Sequence, residues 1–209
     1  MDWQLDAVEV RVLGSLLEKE ATTPDYYPLS LNALVNACNQ KSNRDPVVSY
    51  DDDTVEDALL TLREKGLAQR ITGRDSRVPK HAQSFTEKLN MGRREAAVMC
   101  VLMVRGPQTV GELRGRTERI HNFDDLEAVE STLHRLAEIG FVKQLPRQPG
   151  FKEPRYTHLL SGDVEIADEA PASEVHVSRG SGDRDRIAAL EAEVAQLRQD
   201  FENFRRRFE

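Results

Sequence analysis

The chain has 209 residues, 39% of them hydrophobic and 31% charged, with a formal net charge of −7. That length suits one domain of moderate size or two small ones, and the acidic total disfavours indiscriminate nucleic-acid binding while leaving room for a local basic patch. No run approaches the ~18 apolar residues needed to span a bilayer, and the opening MDWQLDAVEVRV has early Asp residues and no apolar core of signal-peptide length. Cys38 and Cys100 belong to no CxxC motif or Cys/His cluster, so the expectation is a soluble, cytoplasmic chain with buried thiols in a reducing compartment.

In chain order the elements fall into a unit written twice. Apolar residues at helical spacing predict a first helix over Val8–Lys19 and its counterpart over Glu95–Val104. Glu9, Val12, Leu13, Leu16 and Leu17 match Glu95, Val98, Met99, Leu102 and Met103 at an offset of 86. Pro-Leu-Ser or Pro-Gln-Thr then precedes a second helix. Ser30 and Thr109 are its natural N-caps, since their hydroxyls can accept from free backbone N–H groups. Ser30, Leu31 and Leu34 match Thr109, Val110 and Leu113 at an offset of 79.

A third helix is led by Asp51–Asp53 in one copy and by Asp124–Asp125 in the other. Val55, Leu59, Leu62, Gly66 and Leu67 match Val129, Leu133, Leu136, Gly140 and Phe141 at an offset of 74. The offset falls because the first copy carries 7 and then 5 extra residues in its two loops, where insertions belong. Gly66 and Gly140 sit where a left-handed residue ends the helix. The β-prone segments Leu67–Ile71 and Phe141–Leu145 follow, each opening a hairpin through a turn-rich stretch.

Helix, helix, helix and hairpin is the winged-helix order. The fold class expected is therefore mainly α with small β-hairpins, α+β: winged-helix domains at 1–86 and 87–160, an acidic flexible linker at 161–182, and a coiled-coil helix at 183–209. The linker reading rests on small, acidic residues with no sustained core pattern. In the last segment Ile187, Leu190, Val194, Leu197, Phe201, Phe204 and Phe208 alternate spacings of 3 and 4, an a/d seam. A parallel pair would set Arg186 against Glu191, Glu193 against Arg198 and Asp200 against Arg205, all opposite in sign, so a homodimer is expected over a helix folded back on its own domain.

The stretch RVLGSLLEKEATTPDYYPLSLNALVNACNQKSNRDPV, Arg11 to Val47, closely resembles the signature of the bacterial YceH-like family. LNMGRREAAVMCVLMVRGPQTVGELRGRTERIHNFDDLEAVESTL resembles the same family, and the likeness runs from Leu5 to about Leu160. It implies a tandem winged-helix fold and brings no established activity, substrate or catalytic residue. One departure is VPKHAQSF, where a more basic ending is expected after VPK.

Winged helices most often lay the third helix in the DNA major groove while the wing touches the backbone. Here both third helices begin acidic, with Asp51, Asp52, Asp53, Glu56 and Asp57 in one and Asp124, Asp125, Glu127 and Glu130 in the other. Capping and the helix dipole account for carboxylates there, yet such a surface opposes phosphate. The positive charge gathers elsewhere: Arg70, Arg74, Arg77 and Lys80 around the first wing, and Lys143, Arg147, Lys152 and Arg155 around the second. Arg114, Arg116 and Arg119 lie on or after the second copy's second helix.

The polar stretch Asn39–Asp45 adds two more cations. Asn43 and Asp45 are expected to build the turn, and Lys41 and Arg44 to make contacts. Residues 1–86 hold 10 basic and 14 acidic side chains, residues 87–160 hold 12 and 10, and residues 161–209 hold 7 and 12, so the second repeat is the better candidate for a nucleic-acid face.

No HExxH, nucleophile or phosphate-loop motif is present, and His81, His121, His134, His158 and His176 are scattered. The expectation is a non-enzymatic protein with no cofactor and no membrane partner. It binds DNA in a regulatory role through basic wings, or alternatively docks a protein partner on its acidic third helices, as winged helices of condensin-type subunits suggest by analogy of fold.

Overall fold

Two short signals, repeated, build most of the chain: an oxygen-bearing residue that starts a helix and a glycine that ends one. The computed structural model describes residues 3–72, 78–147 and 153–163. The expected linker beyond Asp163 and the whole seam from Ile187 to Phe208 lie outside the described residues. Among those described are seven α-helices and two small antiparallel sheets, a mixed α+β architecture.

Helix α1 (Ala7–Thr22) starts at Asp6, which accepts from the Glu9 N–H at 2.8 Å, while Glu9 reaches back to the Asp6 N–H at 2.8 Å. This reciprocal capping box satisfies two otherwise orphaned donors. After a short 3₁₀ turn, strand β1 (Leu29–Ser30) leads into α2 (Leu31–Cys38), whose cap Ser30 accepts from Ala33 N at 3.3 Å. Helix α3 (Asp52–Glu64) is capped by Asp51, accepting from Thr54 N at 2.9 Å. It closes at Gly66, φ 67°, a left-handed value that glycine adopts without penalty.

Strands β2 (Ala68–Ile71) and β3 (Lys80–Gln83) follow, and the sheet order is β1-β3-β2, with Leu29 opposite His81 and Arg70 opposite His81 on the other side. The short helix α4 (Phe85–Lys88) then bridges to the second copy.

The second copy repeats the order. Helix α5 (Arg93–Arg105) is followed by α6 (Val110–Thr117), where Thr109 and Glu112 form a second capping box. Helix α7 (Leu126–Glu138) is capped by Asp125, accepting from Ala128 N at 2.8 Å, and closes at Gly140, φ 78°. Strands β4 (Val142–Gln144) and β5 (Tyr156–His158) make the hairpin. A lone bridge pairs Gln108 with Tyr156. Gln108 lies 79 residues after Leu29, so this bridge is the second copy's remnant of β1.

Sequence periodicity under-read two pieces. A two-residue β1 and a four-residue α4 are too short to show a period, and the hydrogen bonds that define β1 go to a strand about 50 residues away.

The copies meet through equivalent helices. Position 14 of α1 and position 100 of α5 are related by the offset of 86, and Cys100 Sγ lies 3.6 Å from the Gly14 carbonyl oxygen. A Cβ on Gly14 would fall 2.8 Å from Met103 Cβ and 2.9 Å from Val104 Cγ1, closer than carbon atoms pack. The glycine lets the two backbones touch, and Val12, Leu13, Leu16, Val98, Met99 and Leu102 close around the crossing. One apolar core therefore runs from Leu5 to Leu160 across both copies, and Met1–Val164 cluster as one compact unit. Both thiols are free and buried, and burial pushes each above the ordinary thiol range.

Each copy also sinks a glutamate from its first helix. Burial alone raises the Glu9 carboxyl, but hydrogen bonds from Lys65, Thr61 and the Asp6 backbone outweigh it and leave it below the usual carboxylate range. Lys65 Nζ lies 2.5 Å from Glu9 Oε1. The counterpart Glu95 lies 3.3 Å from Arg135 Nη1. Both glutamates thus pair with a cation at or near the end of their own copy's third helix.

Gly14→Ala is expected to lower stability by about 1–3 kcal/mol, the usual cost of overpacking. This reads as a lower urea midpoint at unchanged slope; an unchanged midpoint would show that the helices separate freely. Stability is also expected to fall on acidification. Burial holds His158 neutral, with its pKa pushed down to about 4 and its Nδ1 without a hydrogen-bond partner among the described residues. Between the unfolded value of about 6.5 and that folded value, the unfolded chain binds the extra proton, so stability drops as pH falls through this window. His158→Gln should flatten the loss in denaturation curves taken at several pH values.

Candidate functional site

The loop from Asn39 to Tyr50 carries the second of the first copy's two insertions, and its ends are tied together. Asn39 Nδ2 donates to the Tyr50 carbonyl at 2.7 Å, and the Tyr50 N–H donates back to Asn39 Oδ1 at 2.8 Å. From this frame Arg44 turns inward. Its Nε and Nη2 donate to the Ala37 carbonyl at 3.1 and 2.8 Å, and Nη1 and Nη2 grip the Glu18 carboxylate at 3.2 and 2.5 Å.

The Arg44 side chain is 0% exposed. Arg44 was expected on the contact surface, and its place is in the scaffold. The free C-terminal carbonyls of α2 and the carboxylate of α1 need a planar, multi-donor cation, which Lys could not supply. Arg11 works beside it, donating to the Cys38 and Pro46 carbonyls at 3.2 and 2.7 Å. Burial, then the neighbouring Arg44 charge, pushes the Arg11 guanidinium below its ordinary range.

The same loop clasps the second copy. The Asp45 N–H donates to the Val104 carbonyl at 2.9 Å, and Arg105 donates to Asn43 Oδ1. Asn43 adopts φ 61°, a left-handed conformation that asparagine tolerates. Asn43 thus serves the turn, as expected, while Asp45 lends its backbone N–H to the join with α5.

Four of the other expected contact cations are engaged at home. Arg116 and Arg155 share Glu112, at 3.3 and 3.6 Å, and Arg155 also donates to the Pro107 carbonyl at 2.9 Å. Arg114 donates to the Phe123 and Asp124 carbonyls at 3.5 and 2.8 Å, and Lys143 pairs with Asp163. Arg70 is exposed on β2, Lys80 is half-buried on β3, and Arg147 is exposed after β4. Arg74, Arg77 and Lys152 lie outside the described residues. Lys41 and Arg119, distant in sequence, come together on one polar cleft that Lys19 also lines. Lys19 escaped sequence reading because nothing in its helix marks which side it faces.

The acidic surfaces are as open as their sequences suggest. Asp52, Asp53, Glu56 and Asp57 of α3 are exposed, and so are Glu127 and Glu130 of α7. Apolar side chains stand among them: Leu60 on α3, Leu126 on α7 and Ile139 at its end are 47%, 47% and 52% exposed. Among the described residues no three His, Cys, Asp or Glu side chains gather as metal ligands would, and no helix is long and apolar enough to cross a membrane.

The model of the DUF480 family, described as "Protein of unknown function", matches residues 5–151. The chain belongs to that family. It is 73% identical over 210 residues to a UPF0502 protein of Solibacter usitatus, covering 100% of both chains. It is 54% identical to a UPF0502 protein of Citrifermentans bemidjiense over 93% of this chain and 90% of that one. A third, from Geobacter sulfurreducens, is 48% identical over the whole of both chains. The family match spans the first copy, its Asn39–Tyr50 loop and the second copy as far as β4.

Truncating Arg44 to Ala strands the Glu18 carboxylate and the Ala37 carbonyl, at an expected cost of about 3–5 kcal/mol. Lys41→Ala, three residues away and exposed, should stay within about 0.5 kcal/mol. Thermal or urea unfolding of both variants checks this, and equal effects would overturn the division between scaffold and surface.

Proposed function

We propose that this chain is a non-enzymatic tandem winged-helix protein that acts by docking a protein partner on the outer faces of its third helices. The element order, the paired glycines Gly66 and Gly140, the hairpins and the resemblance of Arg11–Val47 to the YceH-like family support the winged-helix reading. The observation that carries the docking reading is the composition of α3's exposed face. Asp53, Asp57, Leu60 and Glu64 follow one another at helical spacing with Glu56 beside them, so a leucine stands within a field of carboxylates. That face repels a phosphate backbone at groove distances, where screening over a Debye length of about 8 Å is incomplete. It suits a basic partner that also offers an apolar side chain, since apolar anchors supply affinity and charge supplies steering. The notion of a cytoplasmic homodimer, joined through the Ile187–Phe208 seam, accompanies this reading.

A second reading, nucleic-acid binding through the hairpins, is favoured by the exposure of Arg70 and Arg147. Fluorescence anisotropy of a labelled DNA duplex at roughly 50 and 200 mM salt separates the two, because phosphate-driven affinity falls steeply over that range. The docking reading expects no salt-sensitive binding. It also expects the full chain, used as bait, to lose its partner when Asp53→Asn, Glu56→Gln and Asp57→Asn are combined, with the fold intact. Duplex affinity that collapses on reversing Arg70 and Arg147, or a partner unmoved by the triple substitution, would sink it.

A further inference from the structure

A polar cleft lies at the junction of the two copies. It measures about 420 Å3 and is lined by the end of α1, by the Gln40–Asn43 segment of the inserted loop, and by Arg119 just beyond α6. Three cations from distant parts of the chain converge on it: Lys19, Lys41 and Arg119. Lys41 and Arg119 are exposed and make no hydrogen bond or ion pair among the described residues.

The one carboxylate in the lining is Glu18. Lys19 lies 3.7 Å from it, but its charge is answered from within the protein by Arg44, which holds both of its oxygens. A buried arginine thus neutralises the wall of the cleft, and three positive charges are left facing a concavity. Arg116 and Arg155, by contrast, sit on a carboxylate, Glu112.

We infer that this cleft binds a small phosphate-bearing molecule, such as a nucleotide or sugar phosphate. Three cations lining one pocket match the several oxygens of a phosphate. The volume falls within the ~300–1,000 Å3 typical of small-molecule sites. Thr22 and Thr23 also line it, and their hydroxyls donate back to the Glu18 and Lys19 carbonyls at 2.8 and 3.1 Å. Their oxygens are left as acceptors, which suits a ligand that carries hydroxyl or amino donors as well as phosphate. A net charge of −7 opposes an extended polyanion, whereas a small anion inside the cleft feels mainly the charges within about 8 Å. This site is separate from the third-helix faces and does not depend on the docking reading.

The test uses the full chain with inorganic pyrophosphate as probe, followed by calorimetry and by the unfolding midpoint. Saturable binding is expected, with a rise in the midpoint that grows with pyrophosphate concentration. Lys41→Glu and Arg119→Glu should each weaken it by roughly tenfold, the loss of one charge-assisted contact, and should keep the unliganded midpoint. Arg147→Glu, on the second hairpin, should leave pyrophosphate binding unchanged. Adenosine monophosphate should bind more tightly than pyrophosphate if the hydroxyl acceptors contribute. Absence of saturable binding overturns the inference, as does equal weakening by Arg147→Glu. Binding of a labelled duplex that Lys41→Glu and Arg119→Glu abolish, with pyrophosphate inert, overturns it in favour of nucleic acid.

Discussion

The close crossing of α1 and α5 at Gly14 is the constraint on which the rest of the structure depends. A side chain there would hold the helices apart, because Met103 and Val104 already occupy the space. With the backbones touching, the apolar residues of both first helices are removed from water at once, and the second and third helices of each copy pack outward from that shared axis. Gly14 meets Cys100, its own counterpart by sequence offset. Two like surfaces thus join at like positions, which is how a symmetric dimer buries its interface. The duplicated unit has taken that geometry into one chain.

Symmetry is then broken where the first copy carries its longer loop. Arg44 enters the interior from that loop and answers Glu18, while Asp45 and Asn43 hold the end of α5. Buried ion pairs contribute little net stability compared with apolar packing of the same volume, but breaking one leaves an uncompensated charge. The value of Arg44 is therefore conformational. It selects one path for twelve loop residues that have few apolar side chains to select a path by themselves.

What could be read along the chain is what depends on neighbours in sequence. The caps Ser30, Asp51, Thr109 and Asp125, the terminating glycines and the period of the helices are all local, and they appear where their residue types place them. The repeat was legible because the same local signals recur in the same order. The buried place of Arg44 is not legible, because an arginine in a polar loop looks solvated and only the fold brings the ends of α1 and α2 around it. The meeting of Lys19, Lys41 and Arg119 was equally hidden, since it needs the two copies to face each other. The pairing of Arg116 and Arg155 through Glu112 joins a helix to a hairpin some 40 residues away, beyond any sequence period.

The clasp between the loop and α5 has a consequence for how the molecule could be held by others. With one core and bonds such as Asp45 to Val104 spanning the join, α3 and α7 cannot drift apart as they would on a flexible tether. A single partner with two matching sites would meet the second at a fixed distance and orientation once the first is engaged. Its effective concentration there would be set by geometry instead of by a linker. Two weak contacts would then sum to a firm grip only for a partner of the right spacing, and the rigid join would act as a ruler.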